Sequence, residues 1–405
     1  MSWKTVTIGE VCDLSTGGTP SKEKTEYFDN GEILWLVSGD IHKREIFDCS
    51  GRITELGYKN SNAKFLPIDS VLIALNGQGK TRGSVALLRV KATCNQSLVA
   101  ITPRNKDELD SKYLFYYLDG KYEDIRRLTG DSGNDRRGLN MPMIRKIFLP
   151  LPPISTQQKI VAKLDAIFAE IDRATAAAET NAKNAEALFS QVLNNLDAED
   201  SGVSKNLGDC VELLSGFAFK SSEYTDSDDD IPLLRGDNLN PMSIDFSKAK
   251  RFDKNRLSEY HKFSLSINDI VLGMDRPLIS TGLRIAKVQA KDLPSLLVQR
   301  VMRLRCSKVV NPDFLFYLLN SDKFIKHLVG EQTGLGVPHI SGKTISSFQV
   351  KIPSIEIQRN TVSKLHSIEE RLNAYKLANR KILNNLKFYR QSILKRAFSG
   401  ELVKE

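Results

Sequence analysis

The stretch LPLPPISTQQKIVAKL, Leu149–Leu164, returns as VKIPSIEIQRNTVSKL, Val350–Leu365, so that Pro152 falls on Pro353, Gln157 on Gln358 and Lys163-Leu164 on Lys364-Leu365. In each copy prolines stop one kind of structure, because proline is tolerated at a helix start but not in its interior. A long apolar rhythm follows. After Thr156 it runs Ile160, Leu164, Ile167, Ile171, Ala174, Ala178, Ala182, Ala185, Leu188, Val192 and Leu196. The second copy runs Val362, Leu365, Ile368, Leu372, Tyr375, Asn379, Ile382, Leu386, Tyr389 and Ile393. Steps of three and four make both heptad-like seams, and a lone helix would leave such a seam wet. The spacing therefore predicts two helices of roughly 43 residues, about 65 Å each at 1.5 Å per residue, packed on one another as an antiparallel coiled coil. Asn379 interrupts the second seam and reads as a tolerated, partly wet position.

Working outward, the segments before each junction also repeat. TIGEVCDLSTG from Thr7 matches NLGDCVELLSG from Asn206, with Gly17 over Gly216, and EILWLVSGDI matches DIPLLRGDNL, with Gly39-Asp40 over Gly236-Asp237. DSVLIALNGQGKTRGSVALLRV from Asp69 matches NDIVLGMDRPLISTGLRIAKV from Asn268, each an apolar strand, a polar loop and a second strand. YLFYYL at Tyr113 matches FLFYLL at Phe314. Self-similarity of this length sets the architecture before any motif is read. The expectation is an α+β chain: mixed α/β units at 1–153 and 200–354, and spacer helices at 154–199 and 355–405.

With 405 residues, the chain is too long for a single core. Hydrophobic residues at 41% and charged residues at 26% place it among globular proteins, and no apolar run reaches the roughly 18 residues that span a bilayer. The start, MSWKTVTIGE, lacks the features of a secretory signal, so the cytoplasm is expected. Cys12, Cys49, Cys94, Cys210 and Cys306 form no CxxC pair and read as reduced packing residues. A net charge of +9 points towards a polyanionic partner.

Signs of catalysis fail one by one. NGQGKT around Lys80 resembles the end of a phosphate-cradling loop, but Ala74 stands where that loop requires glycine. Asn311-Pro312-Asp313-Phe314 has the look of an adenine-holding methyltransferase loop, yet it opens the FLFYLL segment and reads as a helix start capped by Asn311. His42, His261, His327, His339 and His366 are scattered, and the acidic run Asp226–Asp230 lacks calcium-loop spacing, so no metal site is expected.

At this point the chain resembles the specificity subunits of Type I restriction-modification systems. LPLPPISTQQKIV is similar to that family's P-L-P-P-x-x-x-Q-x-x-I-V junction between recognition domain and spacer helix; the second copy departs at Ser354 and Asn360. The resemblance implies a non-catalytic chain that reads a bipartite double-stranded DNA target, one half per recognition domain, with the helices setting the half-site spacing. It further implies two methyltransferase subunits docked on the helices, motor-nuclease subunits in the full complex, and no cofactor on this chain. S-adenosylmethionine, ATP and Mg2+ would belong to the other subunits.

Phosphate contacts are expected from Lys and Arg in loops, and base contacts from Arg, Lys, Asn or Gln in grooves. The DNA-binding candidates are Lys80, Arg82 and Gln96 in the first half, and Arg276, Gln299 and Arg300 in the second, with Asp275-Arg276 set opposite Lys80 and Arg82. Arg136, Arg137 and His339 occupy a further matching loop. Two other readings remain open at this stage: a self-contained DNA methyltransferase or nuclease with an unrecognised site, and a scaffold that binds protein through its repeated domains.

Overall fold

Gln157 and Gln358 show why the junction repeats. Both are fully buried in the computed structural model. Gln157 Nε2 donates to the carbonyls of Glu108 and Pro152, each at 2.8 Å, while its Oε1 accepts from Asp110 N at 2.9 Å. Gln358 repeats the pattern, donating to Val309 O at 2.9 Å and Pro353 O at 2.8 Å and accepting from Asn311 N at 2.7 Å. A buried amide must satisfy its donors and acceptor, and here the partners are the helix start itself and the loop that precedes a shorter helix. The structure describes residues 3–77, 79–129, 138–196, 204–330 and 339–403.

Those shorter helices are α1, Ser111–Gly120, and α3, Pro312–Leu319; the long ones are α2, Ile154–Asn194, and α4, Ile355–Phe398. Asp110 caps α1 by accepting from Lys112 N and Tyr113 N. Asn311 caps α3 from Asp313 N and Phe314 N, with Pro312 in the first turn, which is the helix-start geometry expected of that motif.

The chain divides into two compact units, one formed by Met1–Ala178 with Lys381–Glu405 and the other by Glu179–Arg380. In the first, strands β1 (Cys12–Thr16), β2 (Glu45–Ile46), β3 (Val71–Ala74), β4 (Val85–Leu88) and β5 (Leu98–Pro103) form one sheet in the order β1-β5-β3-β4-β2. In the second, β6 (Val211–Ser215), β7 (Ile270–Gly273), β8 (Ile285–Lys287) and β9 (Val301–Cys306) are ordered β6-β9-β7-β8. The registers correspond. Cys12 faces Pro103 and Val71 faces Ile101 in the first sheet; Val211 faces Cys306 and Ile270 faces Leu304 in the second. Gly17 and Gly216 follow the matching edge strands, and a Cβ there would lie 1.7 Å from Cys94 O or 2.2 Å from Val298 O, so neither position accepts a side chain.

Both faces of β3 and β7 are covered, which is why these strands read as unbroken apolar runs. In the first unit, Val71 and Ile73 pack with Tyr113 and Leu114 of α1, with Ile160, Leu164, Phe168 and Ile171 of α2, and with Ile393, Leu394 and Ala397 of α4. Leu72 and Ala74 join Leu36, Ile41 and Leu98 on the other face. In the second, Ile270 and Leu272 pack with Phe314 and Leu318 of α3 and Val362 of α4. Cys12, Cys49, Cys94 and Cys210 are buried, and burial pushes the thiols of Cys12 and Cys94 up to about 12.

The long helices run antiparallel within each unit. In the first, Lys163 of α2 donates to Leu402 O, and Asp172 pairs at 2.9 Å with Arg390 of α4, whose guanidinium lies 4.0 Å from the Phe168 ring centre. In the second, Glu186 pairs with Lys376 at 2.8 Å and Leu193 packs with Leu365. The seam follows the heptad expectation at Ile160, Leu164, Ile171, Ala178, Val362, Leu365 and Ile393, which are buried, and departs from it elsewhere. Phe168 and Leu193 are buried, whereas Leu188 and Val192 of the expected row are exposed; on α4, Ile368, Tyr375, Ile382 and Tyr389 are exposed. A helix turns once per 3.6 residues, so a row spaced at 3.5 drifts off the contact line and the neighbouring position takes over. Asn379, expected to be partly wet, is buried.

Candidate nucleic-acid interface

The loops follow from the sheet order. In each unit one end of the sheet collects the end of its edge strand, the end of the central strand and the start of the strand between them. In the first unit Leu75 N donates to Ser97 O at 2.9 Å and Leu139 N donates to Leu75 O at 3.0 Å. In the second, Met274 N donates to Arg300 O and Ile340 N to Met274 O, both at 2.8 Å. Ser97 therefore corresponds to Arg300, Gln96 to Gln299 and Asn76 to Asp275. This corrects the expected pairing of Asp275-Arg276 with Lys80 and Arg82, which lie further along their loop. The cause is local: in the second unit Leu278–Ile279 and Gly282–Leu283 pair as a small hairpin, which has no counterpart among the described residues of the first.

In the first unit Lys80 is exposed and Arg82 is half-buried. Their loop is held at two backbone carbonyls and one side chain: Tyr122 Oη donates to Lys80 O at 3.0 Å, Arg126 Nη1 donates to Gly79 O at 2.7 Å, and His42 Nε2 lies 3.1 Å from Thr81 Oγ1. Gln96 is exposed, and its Oε1 accepts from Thr19 Oγ1 at 2.6 Å. Lys80, Arg82 and Gln96 thus share one edge. Arg136 and Arg137 lie outside the described residues.

In the second unit Arg276, Gln299, Arg300 and His339 are all exposed at the corresponding edge. Asp275 connects two of them, accepting from Arg300 Nη1 at 2.5 Å through one carboxylate oxygen and contacting His339 Nδ1 at 2.6 Å through the other. Partial burial pushes the Asp275 carboxyl up, but the bonds from Arg300 and His339 outweigh it and hold the group below the usual carboxylate range. Arg276 at φ 43° and Arg300 at φ 66° both adopt left-handed backbone, which side-chain-bearing residues rarely take and which collects at functional sites.

Reading by residue type alone misses several neighbours. Phe217 accepts from Gln299 N at 2.8 Å through its carbonyl, and its partly exposed ring meets Phe219 edge-on and packs tilted against Tyr260 and Phe263. The available signal is its place: it directly follows Gly216, where the first half carries Gly18 after Gly17. Tyr122 and Arg126, four residues apart on one helix face with the guanidinium 5.5 Å from the ring, carry a similar signal. The arrangement suits recognition: exposed donors on backbone fixed by the sheet, with apolar packing underneath.

A family model described as the Type I restriction modification DNA specificity domain matches residues 1–180 and again 200–384. The chain is 26% identical over 385 residues to the Type I restriction enzyme MjaVIII specificity subunit of Methanocaldococcus jannaschii, covering 91% of this chain and 86% of that one. Among solved structures, it shares its fold with a chain from work on complex assembly and conformational transition of the type I R-M system, at a TM-score of 0.77 and 18% identity over 99% of this chain and 98% of that one. The HsdS subunit from Thermoanaerobacter tengcongensis aligns at a TM-score of 0.59 and 17% identity, covering 99% and 97%.

Proposed function

Because this chain belongs to the Type I restriction modification DNA specificity family, with that domain present twice, we propose that it is the sequence-reading subunit of such a system and that each unit reads one half of a bipartite double-stranded DNA target. The observation that carries the reading is the pair of sheet edges, alike in backbone register and unlike in the side chains they present. Loops that are fixed in place and free in composition suit base recognition, since phosphate contacts position a protein and base contacts specify. Lys80, Arg82 and Gln96 serve the first half-site, and Arg276, Gln299, Arg300 and His339 the second.

The chain acts without catalysis of its own and carries no cofactor. Two methyltransferase subunits dock on α2 and α4, supplying S-adenosylmethionine chemistry, while motor-nuclease subunits use ATP and Mg2+ in the full assembly. Support for docking comes from large apolar side chains left exposed on the helices: Ile382, Phe388 and Tyr389 in the first unit, and Leu188, Ile368 and Leu377 in the second. Such rows mark interaction surfaces. The helices set the half-site spacing, so inserting about one helical turn, roughly 5.4 Å, after Leu188 lengthens the unspecified spacer. The compartment that fits this work is the cytoplasm.

Fluorescence anisotropy against duplex DNA tests the reading, with and without a methyltransferase subunit, alongside mapping of methylated adenines in cells that express both. A split asymmetric motif is expected. Labelled methyl transfer by this chain alone, or indifference of the motif to this chain, contradicts it.

A further inference from the structure

We infer that Asp275 is a positioning residue that sets Arg300 and His339 for one G·C pair in the half-site read by the second unit. This rests on the functional reading above and deepens it, since it assigns a base pair to named atoms. Asp275 sits at the end of β7, where the hydrogen bonds of Met274 with Arg300 and Ile340 fix all three residues on paired backbone. One carboxylate oxygen takes Arg300 Nη1 and the other takes His339 Nδ1.

Two consequences follow from the chemistry of those groups. Arg300 makes no hydrogen bond through Nη2 or Nε among the described residues, so one side of its rigid fork is braced and the remaining N–H groups point elsewhere. A guanidinium with two such donors matches the N7 and O6 acceptors of guanine in the major groove, the commonest specific arginine contact. In the neutral tautomer that donates Nδ1–H to Asp275, His339 offers Nε2 as an acceptor on the opposite side of the ring. The cytosine of the same pair offers the matching N4 donor. Among the described residues the first unit has no such arrangement: Asn76 and Ser97 occupy the places of Asp275 and Arg300. The inference therefore concerns one half-site only.

The test is methylation mapping of the assembled methyltransferase carrying Arg300→Ala, Asp275→Asn or His339→Ala in the full-length chain. Arg300→Ala should relax a single position from G to any base, lowering discrimination there about 5- to 150-fold. Asp275→Asn should relax the same position by a smaller factor, because it keeps the shape and removes the brace. His339→Ala should act there as well. Undiminished selectivity at the other half-site reports that the chain is folded, and if the Arg300 variant methylates nothing, Asp275→Asn decides. An unchanged motif, different positions relaxed by the Arg300 and Asp275 variants, or a relaxed position that was not a G·C pair overturns the inference while leaving the functional reading standing. Failure of the unaltered chain to direct any split motif overturns the functional reading, and the inference with it.

Discussion

The junctions at Gln157 and Gln358 and the loop edges at Asn76 and Asp275 are both repeated features, and they have gone opposite ways. At the junctions the same side chain makes the same three hydrogen bonds in both units. At the edges the backbone hydrogen bonds match while the side chains do not: Asn76 and Ser97 in one unit, the Asp275–Arg300–His339 cluster in the other. A buried amide tolerates no substitute, because every neighbour it leaves unpaired costs free energy. An exposed loop end on a rigid sheet carries no such penalty. What holds each unit together is repeated, and what faces outward is free to differ.

The sharpest way to break this comparison is at the junction. Gln157→Ala strands two carbonyls and one N–H in the interior, a loss of about 3 kcal/mol from unpaired buried groups. Gln358→Ala should do the same, and the two thermal unfolding shifts should agree closely. A shift in one variant but not the other would mean that the junctions are not equivalent.

At the edges the expected effects are smaller and local. Arg276→Ala should cost about 2 kcal/mol of discrimination at one position of one half-site. Lys80→Ala should weaken binding evenly across sequences and lower the slope of log affinity against log salt by about 1. Methylation mapping and salt titration separate the two outcomes: a uniform loss for Arg276→Ala would make it a phosphate contact, and a change of motif for Lys80→Ala would make it a base contact.

The least perturbing probe concerns two buried cysteines of the first unit. Burial pushes the Cys12 and Cys94 thiols up to about 12, so the folded state favours the protonated form. Their contribution is complete below the ordinary thiol range near 9 and is lost as pH rises towards 12. At pH 8 a thiol reagent should label neither residue until the chain is unfolded. Mass spectrometry showing native labelling of either would contradict the burial of Cys12 in β1 and of Cys94 beside Leu98 and Ala100 of β5.

Most of the fold was legible because its signals are local and occur twice. Gly17 with Gly216, the prolines before each helix and the paired YLFYYL and FLFYLL segments each answer to a steric or capping demand that leaves a mark in residue type. The helix seam was legible in period and, over Ile160, Leu164, Ile171, Ala178, Val362, Leu365 and Ile393, in phase, but the phase was lost elsewhere along each helix. Ile167 and Phe168, or Val192 and Leu193, are adjacent apolar residues, and only the 3.6-residue turn decides which is buried. The edges were the least legible. Lys80, Arg82, Arg276 and Arg300 could be picked out as loop cations, but Asp275 meets His339 across more than sixty intervening residues, and that meeting depends on how the sheet is paired. Loop registers also slip between the copies, so matching by position set Asp275 against the wrong partner.

The measurement that bears most directly on the central claim is the methylation motif directed by a chain in which residues 206–352 also replace residues 7–151, leaving Gln157 and both long helices in place. If each unit reads its own half-site, the target becomes symmetric, with the present second half-site on both sides of the spacer. A target that keeps its original asymmetry, or loses its split form while methylation continues, would contradict the assignment of one half-site to each unit.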